Sequence, residues 1–199
     1  MDEKRVLLDS FNSQLIKSDI HKSWLLKKFP TKVLTIALLY RASQHGWSPQ
    51  DFHALCDNKG HTLTVLKSRP GKIFGGYTTK DWQSSQGVYV DDEKAFVFSI
   101  DKQKVYRVYK SSGAIYNHAN WGPSFGGNAL GLRADPMNKP NGAQCRTNGF
   151  GDGSFFQIRS DALGNHEVTG EGKEFEDDKK EFTCEEIEVY AVTLEDPLV

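Results

Sequence analysis

The sequence predicts a mainly β (α+β) fold, a two-sheet antiparallel β-sandwich flanked by a few short helices. Two strand-turn-strand patterns follow each other between Thr62 and Tyr109, and further short β-prone runs continue to Val192 between loops rich in Gly, Asn and Pro. The total reaches about eight to ten strands, which suits a sandwich better than one open sheet. The 199 residues also suffice for one sizeable core without disulfide staples.

From Phe11 to Phe29 the apolar residues Leu15, Ile16, Ile20, Trp24 and Leu25 recur at helical spacing, with Lys17, Lys22, Lys27 and Lys28 on other faces. Ser18-Asp19 offers an N-cap and Pro30 denies a backbone donor, so the helix is expected at about Asp19 to Lys28. Val33 to Tyr40 is β-branched and leucine-rich. It reads as a buried strand, with a helical segment as the alternative because the period is not clean. Ser48-Pro49-Gln50-Asp51 is a helix start, with a cap serine, proline at the first position and an acid three residues on. Phe52 and Leu55-Cys56 form its buried stripe, and Asn58-Lys59-Gly60 ends it.

Thr62–Lys67 and Ile73–Thr78 flank a turn containing Pro70-Gly71 and read as a hairpin. Ala95–Ile100 and Lys104–Tyr109 repeat the arrangement across Asp101-Lys102-Gln103. Ala114–Tyr116, Ala129–Arg133, Phe155–Arg159 and Glu186–Val192 complete the expected strands, while the mixed charges of Glu174–Glu181 mark a solvated loop.

Lys and Arg number 25 against 26 Asp and Glu, the net charge is -1, and no basic block exceeds a Lys-Lys pair. Nucleic acid is therefore not an expected partner, because the counterion-release term has no source. Mean hydropathy is -0.55, and the apolar runs fall far short of the roughly 20 residues of a membrane helix. No membrane insertion is expected, and Met1–Arg5 opens with acids where a signal peptide wants only base, so the expected location is cytoplasmic.

Cys56, Cys145 and Cys184 are odd in number and far apart, hence expected as reduced, independent thiols. A zinc site from Cys145, Cys184, His118 and His166 would require chance convergence, so neither metal nor cofactor is expected. Arg69–Gly76 lacks the order of a phosphate-binding loop, and Gly149–Ser154 precedes a strand where a dinucleotide site needs a helix. No nucleophile elbow surrounds a serine, and spacing nominates no carboxylate for any histidine. No catalytic residue is assigned. Asp135, Asp152, Asp161, Asp177 and Asp178 sit in loops where acids usually make local turns. Asp152 and Asp161 nevertheless motivate one alternative, a carboxylate-dependent hydrolase. Trp47, Trp82 and Trp121 beside polar loops motivate a glycan-binding platform, with core burial the first expectation for each ring.

Ala114-Ile115-Tyr116-Asn117-His118 followed by Trp121-Gly122-Pro123-Ser124-Phe125-Gly126-Gly127 resembles the TLDc domain family. Leu38–Ser43 with Gly46-Trp47-Ser48, Phe52-His53 with Cys56–Gly60 and Thr62-Leu63-Thr64, Ile73–Tyr77, and Glu185–Tyr190 resemble its other blocks, in the family's order. The resemblance places the domain at residues 11–195, after an N-terminal arm 1–10 and before a tail 196–199. Residues Pro136–Gly172 are long and idiosyncratic against the family pattern.

The resemblance implies a β-sandwich flanked by helices and a non-enzymatic, cytosolic protein-interaction role. Family members are linked to oxidative-stress resistance and to binding or regulating the peripheral sector of the V-type proton ATPase. A structural role in a cytoskeletal or ciliary microtubule assembly is the alternative. The partner-binding anchors expected are Trp82, Trp121, Phe125 and Glu188, and the motif glycines Gly75, Gly76, Gly126 and Gly127 are expected to serve turns.

Overall fold

The computed structural model describes residues 3–108, 113–126, 130–133, 143–146 and 181–196. The expected strand Phe155–Arg159, the loop 174–181 up to its last residue, Gly127, Asp152 and Asp161 lie outside them. Helices α1 (Glu3–Ser10) and α2 (Asp19–Leu26) precede strand β1 (Val33–Arg41), which is followed by α3 (Ala42–His45) and α4 (Pro49–Cys56). The hairpin β2 (Thr62–Ser68) and β3 (Ile73–Thr78) comes next, then β4 (Gln86–Val90) and the hairpin β5 (Phe96–Ser99) and β6 (Lys104–Arg107). Strands β7 (Ile115–His118), β8 (Trp121–Phe125), β9 (Leu130–Arg133), β10 (Ala143–Arg146) and β11 (Glu181–Leu194) complete the described elements.

All described strand pairs are antiparallel, in the order β4-β7-β8-β9-β10-β11-β2-β3-β5-β6, with β1 also paired to β11. The 14-residue β11 makes this possible. It bonds β2 along one edge, while β10 takes residues 181–184 and β1 takes 188–194 of the other edge. The ladder folds over itself into a sandwich. One leaf holds β1, β11, β2, β3, β5 and β6, and the other presents β4, β7 and β8. Between them pack Phe74, Val97, Ile187 and Val189 of the first leaf, Ile115 and Phe125 of the second, and Phe52 of α4.

The first leaf is apolar on both faces. Leu63, Val65, Tyr77, Phe96, Phe98, Tyr190 and Val192 point away from the sandwich core and are covered by Phe11, Leu15, Ile16, Leu25 and Phe29 of the N-terminal segment. A sheet buried on both sides reads as near-continuous hydrophobic sequence, which explains Phe96-Val97-Phe98.

Most expected elements appear where the sequence puts them, including the capping box of Ser48 and Asp51. The helix expected to Lys28 ends at Leu26, and Ile20 of its predicted stripe is 76% exposed. Leu15 and Ile16 are buried without being helical, because Ser13 Oγ accepts their backbone N–H groups at 3.1 and 2.8 Å and fixes a local turn instead. Residues 3–10, expected as an arm, form α1 with Leu8 buried.

Strand β4 has no counterpart in the sequence reading: its apolar run, Val88-Tyr89-Val90, is only three residues long and lies at an edge where apolar side chains are left exposed. Gly75 and Gly76 also need correction. They sit inside β3, not in a turn, because β-carbons there would collide with neighbours: at Gly75 with the Thr64 carbonyl, and at Gly76 with the Phe125 ring at 2.6 Å. These glycines set the spacing between strands and leaves. Gly76→Ala is expected to cost about 1–3 kcal/mol as overpacking, seen as a lower denaturation midpoint with unchanged slope.

Candidate functional site

Alternation along β7 buries Ile115 and Asn117 and turns Tyr116 and His118 outward. Tyr116 pairs in register with Tyr89 of β4, which is 54% exposed, and their ring centroids lie 4.8 Å apart. Trp121 of β8 meets Tyr116 edge-on at 5.4 Å, and His118 stacks on Tyr116 at 6.0 Å. The second leaf thus carries a row of aromatic rings on its outer face. Gly87 makes room for the row: its φ is +102°, and a β-carbon would fall 2.5 Å from the Tyr116 hydroxyl.

The row is braced from behind. His53, buried on α4, donates from Nε2 to the carbonyls of His118 at 3.1 Å and Trp121 at 2.9 Å, the residues whose rings stand in the row. Its Nδ1 lies 2.6 Å from Asp57 Oδ1. The other Asp57 oxygen accepts from Ser84 N and Oγ at 2.9 and 2.8 Å, and Ser85 Oγ donates to the Asn117 carbonyl at 2.6 Å. Ser84, His53 and Asp57 therefore converge, but the carboxylate lies between the other two. In nucleophilic catalysis the imidazole takes the serine proton. Here its far nitrogen faces backbone carbonyls, so the chemistry is positioning.

The i,i+4 spacing of His53 and Asp57 was the available signal for this pair, and it corrects the reading that spacing nominates no carboxylate for any histidine. The aromatic row spans separate strands, and only its β7–β8 portion is contiguous in sequence.

Of the expected anchors, Trp121 alone is partly exposed. Trp82 is 1% exposed and Phe125 and Glu188 are fully buried, so their side chains serve the interior. Trp82 packs on Phe52 and Phe125 and donates from Nε1 to Thr62 Oγ1 at 2.8 Å. Glu188 accepts from Arg41 Nε and Nη2 at 3.0 and 2.8 Å, Ser13 Oγ at 2.6 Å, Gln14 N at 2.9 Å and Tyr190 Oη at 2.8 Å. Burial alone lowers the Arg41 pKa, but the hydrogen bonds and charge of Glu188 leave it raised. Burial, and then Glu188, push the Tyr190 phenol up, which keeps it a donor. Gly126 takes a left-handed φ of 59° and donates its N–H to the Ala114 carbonyl at 2.8 Å.

Among the described residues no group of His, Cys, Asp and Glu could hold a metal. His118 stands in the aromatic row while Cys184 is buried in the sandwich core. Cys56 and Cys184 are free and buried, and burial followed by the charge of Asp57 pushes the Cys56 thiol up, away from thiolate reactivity. No described helix is long and apolar enough to cross a membrane.

The ordered blocks and the fold agree with a comparison to known families, in which the model described as TLDc domain matches residues 6–193. The chain belongs to the TLDc domain family. Relatives include the MTOR-associated protein MEAK7 of Gallus gallus, 30% identical over 95 residues, and of Mus musculus, 29% identical over 98 residues. Each match covers 48% of this chain and 20% or 21% of the relative, so this TLDc chain aligns with about a fifth of either protein's length.

Proposed function

We propose that this TLDc domain is a non-enzymatic protein-interaction module that docks a large regulatory assembly through the outer face of β4, β7 and β8. The braced row of Tyr89, Tyr116, His118 and Trp121 carries this reading. Aromatic rings on rigid strands supply contact area at low entropic cost and are favoured as hot spots. The partners are the peripheral sector of the V-type proton ATPase, by family resemblance, or an mTOR-containing assembly, by the printed name of the MEAK7 relatives. Support of oxidative-stress resistance from the cytoplasm would then be a consequence of that regulation.

The test is quantitative affinity capture from lysate at two salt concentrations, comparing the natural chain with a Tyr89→Ala/Trp121→Ala variant of unchanged melting behaviour. The expected result is enrichment of one of these assemblies and its loss by about 30-fold in the variant, the equivalent of about 2 kcal/mol. Equal capture by the variant would refute this face. Selective capture of tubulin would favour the cytoskeletal reading, and glycan binding without protein capture would favour the sugar platform.

A further inference from the structure

Exposed large apolar side chains on the described surface include Val88 and Tyr89 of β4 and, on different elements, Val6 and Leu34 at 48% and 47% exposure. Val6 and Leu34 line one open groove of about 1080 Å³ between α1, the end of α2 and the start of β1. Leu7, Leu26, Val33 and Ile36 continue its apolar surface. Lys4, Lys27 and Lys32 also line it, with Glu3 the one acid among the described lining residues. The groove is thus locally basic on a chain of net charge -1.

Its walls are anchored. Lys32, immediately before β1, pairs with Glu3 of α1 at 3.2 Å, and Lys22 of α2 donates to the Leu8 carbonyl of α1 at 3.2 Å. The Thr31 hydroxyl donates to the Glu195 carbonyl at 2.8 Å, and Glu195 N donates to the Lys32 carbonyl at 2.8 Å. These links hold the groove through contacts far apart in sequence.

We infer that this groove binds an acidic amphipathic helix of a protein partner, with the helix's apolar face against Val6 and Leu34 and its carboxylates beside the lysines. Charge complementarity selects that occupant. The size also fits: a helix is about 10 Å across and rises about 1.5 Å per residue, so about four turns sunk somewhat more than halfway displace on the order of 1000 Å³. Helix-in-groove recognition reads apolar anchors at i, i+3, i+4 and i+7. The groove belongs to the helical layer and shares no residue with the aromatic row, so this inference does not rest on the proposed function.

The test titrates the full chain with fluorescent helical peptides carrying Leu on one face and Glu on the other, beside otherwise identical peptides carrying Lys. The Glu peptides are expected to bind at about tens of micromolar, at least about tenfold tighter than the Lys peptides, and more weakly as salt screens the charges. Leu34→Glu should weaken binding more than about tenfold, and the exposed-site variant Lys27→Glu should weaken it and flatten its salt dependence. Tyr89→Ala/Trp121→Ala should leave it unchanged, which separates this groove from the aromatic face. Failure of all Glu peptides, equal binding of the Lys peptides, or indifference to both groove variants overturns the inference. So does binding of phosphatidylserine vesicles in place of the peptides.

Discussion

Arg41→Met is expected to lower folding stability by about 3–5 kcal/mol, because it leaves the Glu188 carboxylate buried without its cation. For a chain of this size, that corresponds to a melting temperature lower by roughly 6–20 °C. Both partners are nearly sealed from water, with side-chain exposures of 5% and 0%. The arginine binds one carboxylate oxygen through two nitrogens, so a lysine could not reproduce the geometry. Replacing a buried ion pair by apolar side chains is often neutral, but here Ser13, Gln14 and Tyr190 also donate to Glu188. Each buried donor left without an acceptor costs about 1–3 kcal/mol. Arg41→Met/Glu188→Leu should therefore be more stable than Glu188→Leu alone and remain below the natural chain. Hydrogen exchange in Arg41→Met should rise first at residues 13–16, which Glu188 ties to the sheet. A loss under about 1 kcal/mol, or exchange that does not single out that segment, would contradict this account.

The arginine reaches Glu188 because β1 contains a bulge. Leu38 pairs with Tyr190, Tyr40 with Val189 and Arg41 with Glu188, so Leu39 is the extra residue. A bulge inserts one residue and reverses which face the following side chains occupy. Without it, Tyr40 would face the helices and Arg41 the sandwich core. The burial of Glu188 is visible in Ile187-Glu188-Val189-Tyr190-Ala191-Val192, where apolar residues occupy both parities. A strand of that kind is covered on both faces, and an acid within it must be paired. The anchor role expected for Glu188 required an exposed carboxylate, and the side chain is fully buried. Its cation 147 residues away could not be read from the strand.

Hairpins and helix caps were legible because their determinants are local: Pro70-Gly71 between two β-prone runs, and Ser48 with Asp51. The glycine pair in Ile73-Phe74-Gly75-Gly76-Tyr77 was misread because its cause is tertiary. Phe125, from a distant strand, rests where a β-carbon would stand. The aromatic row escaped for the same reason, since strand pairing brings Tyr89 to Tyr116. Its brace was half visible as the His53–Asp57 spacing, while the carbonyls His53 holds belong to the facing ends of β7 and β8, 65 and 68 residues further along.

Trp82→Ala is expected to cost about 3–5 kcal/mol by emptying the space between α4 and the second leaf. The ring lies edge-on to Phe52 at 5.9 Å and Phe125 at 5.5 Å. Trp82→Phe keeps much of that packing but leaves Thr62 Oγ1 without the indole donor, so its smaller loss of about 1–3 kcal/mol separates packing from the hydrogen bond. The Trp82 carbonyl accepts from Asn58 N at 3.1 Å, beside Asp57, which holds both His53 and Ser84. The alanine variant should therefore also loosen the brace and disturb Tyr89, Tyr116 and Trp121 in near-ultraviolet circular dichroism below its melting transition. Trp82→Phe should change the spectrum only by loss of the indole itself. If the alanine variant melts early while the aromatic row keeps its native signature until global unfolding, the brace draws no order from Trp82. Local loosening would instead make the buried tryptophan a positioning residue for the face proposed to meet the partner, although its own ring never reaches the surface.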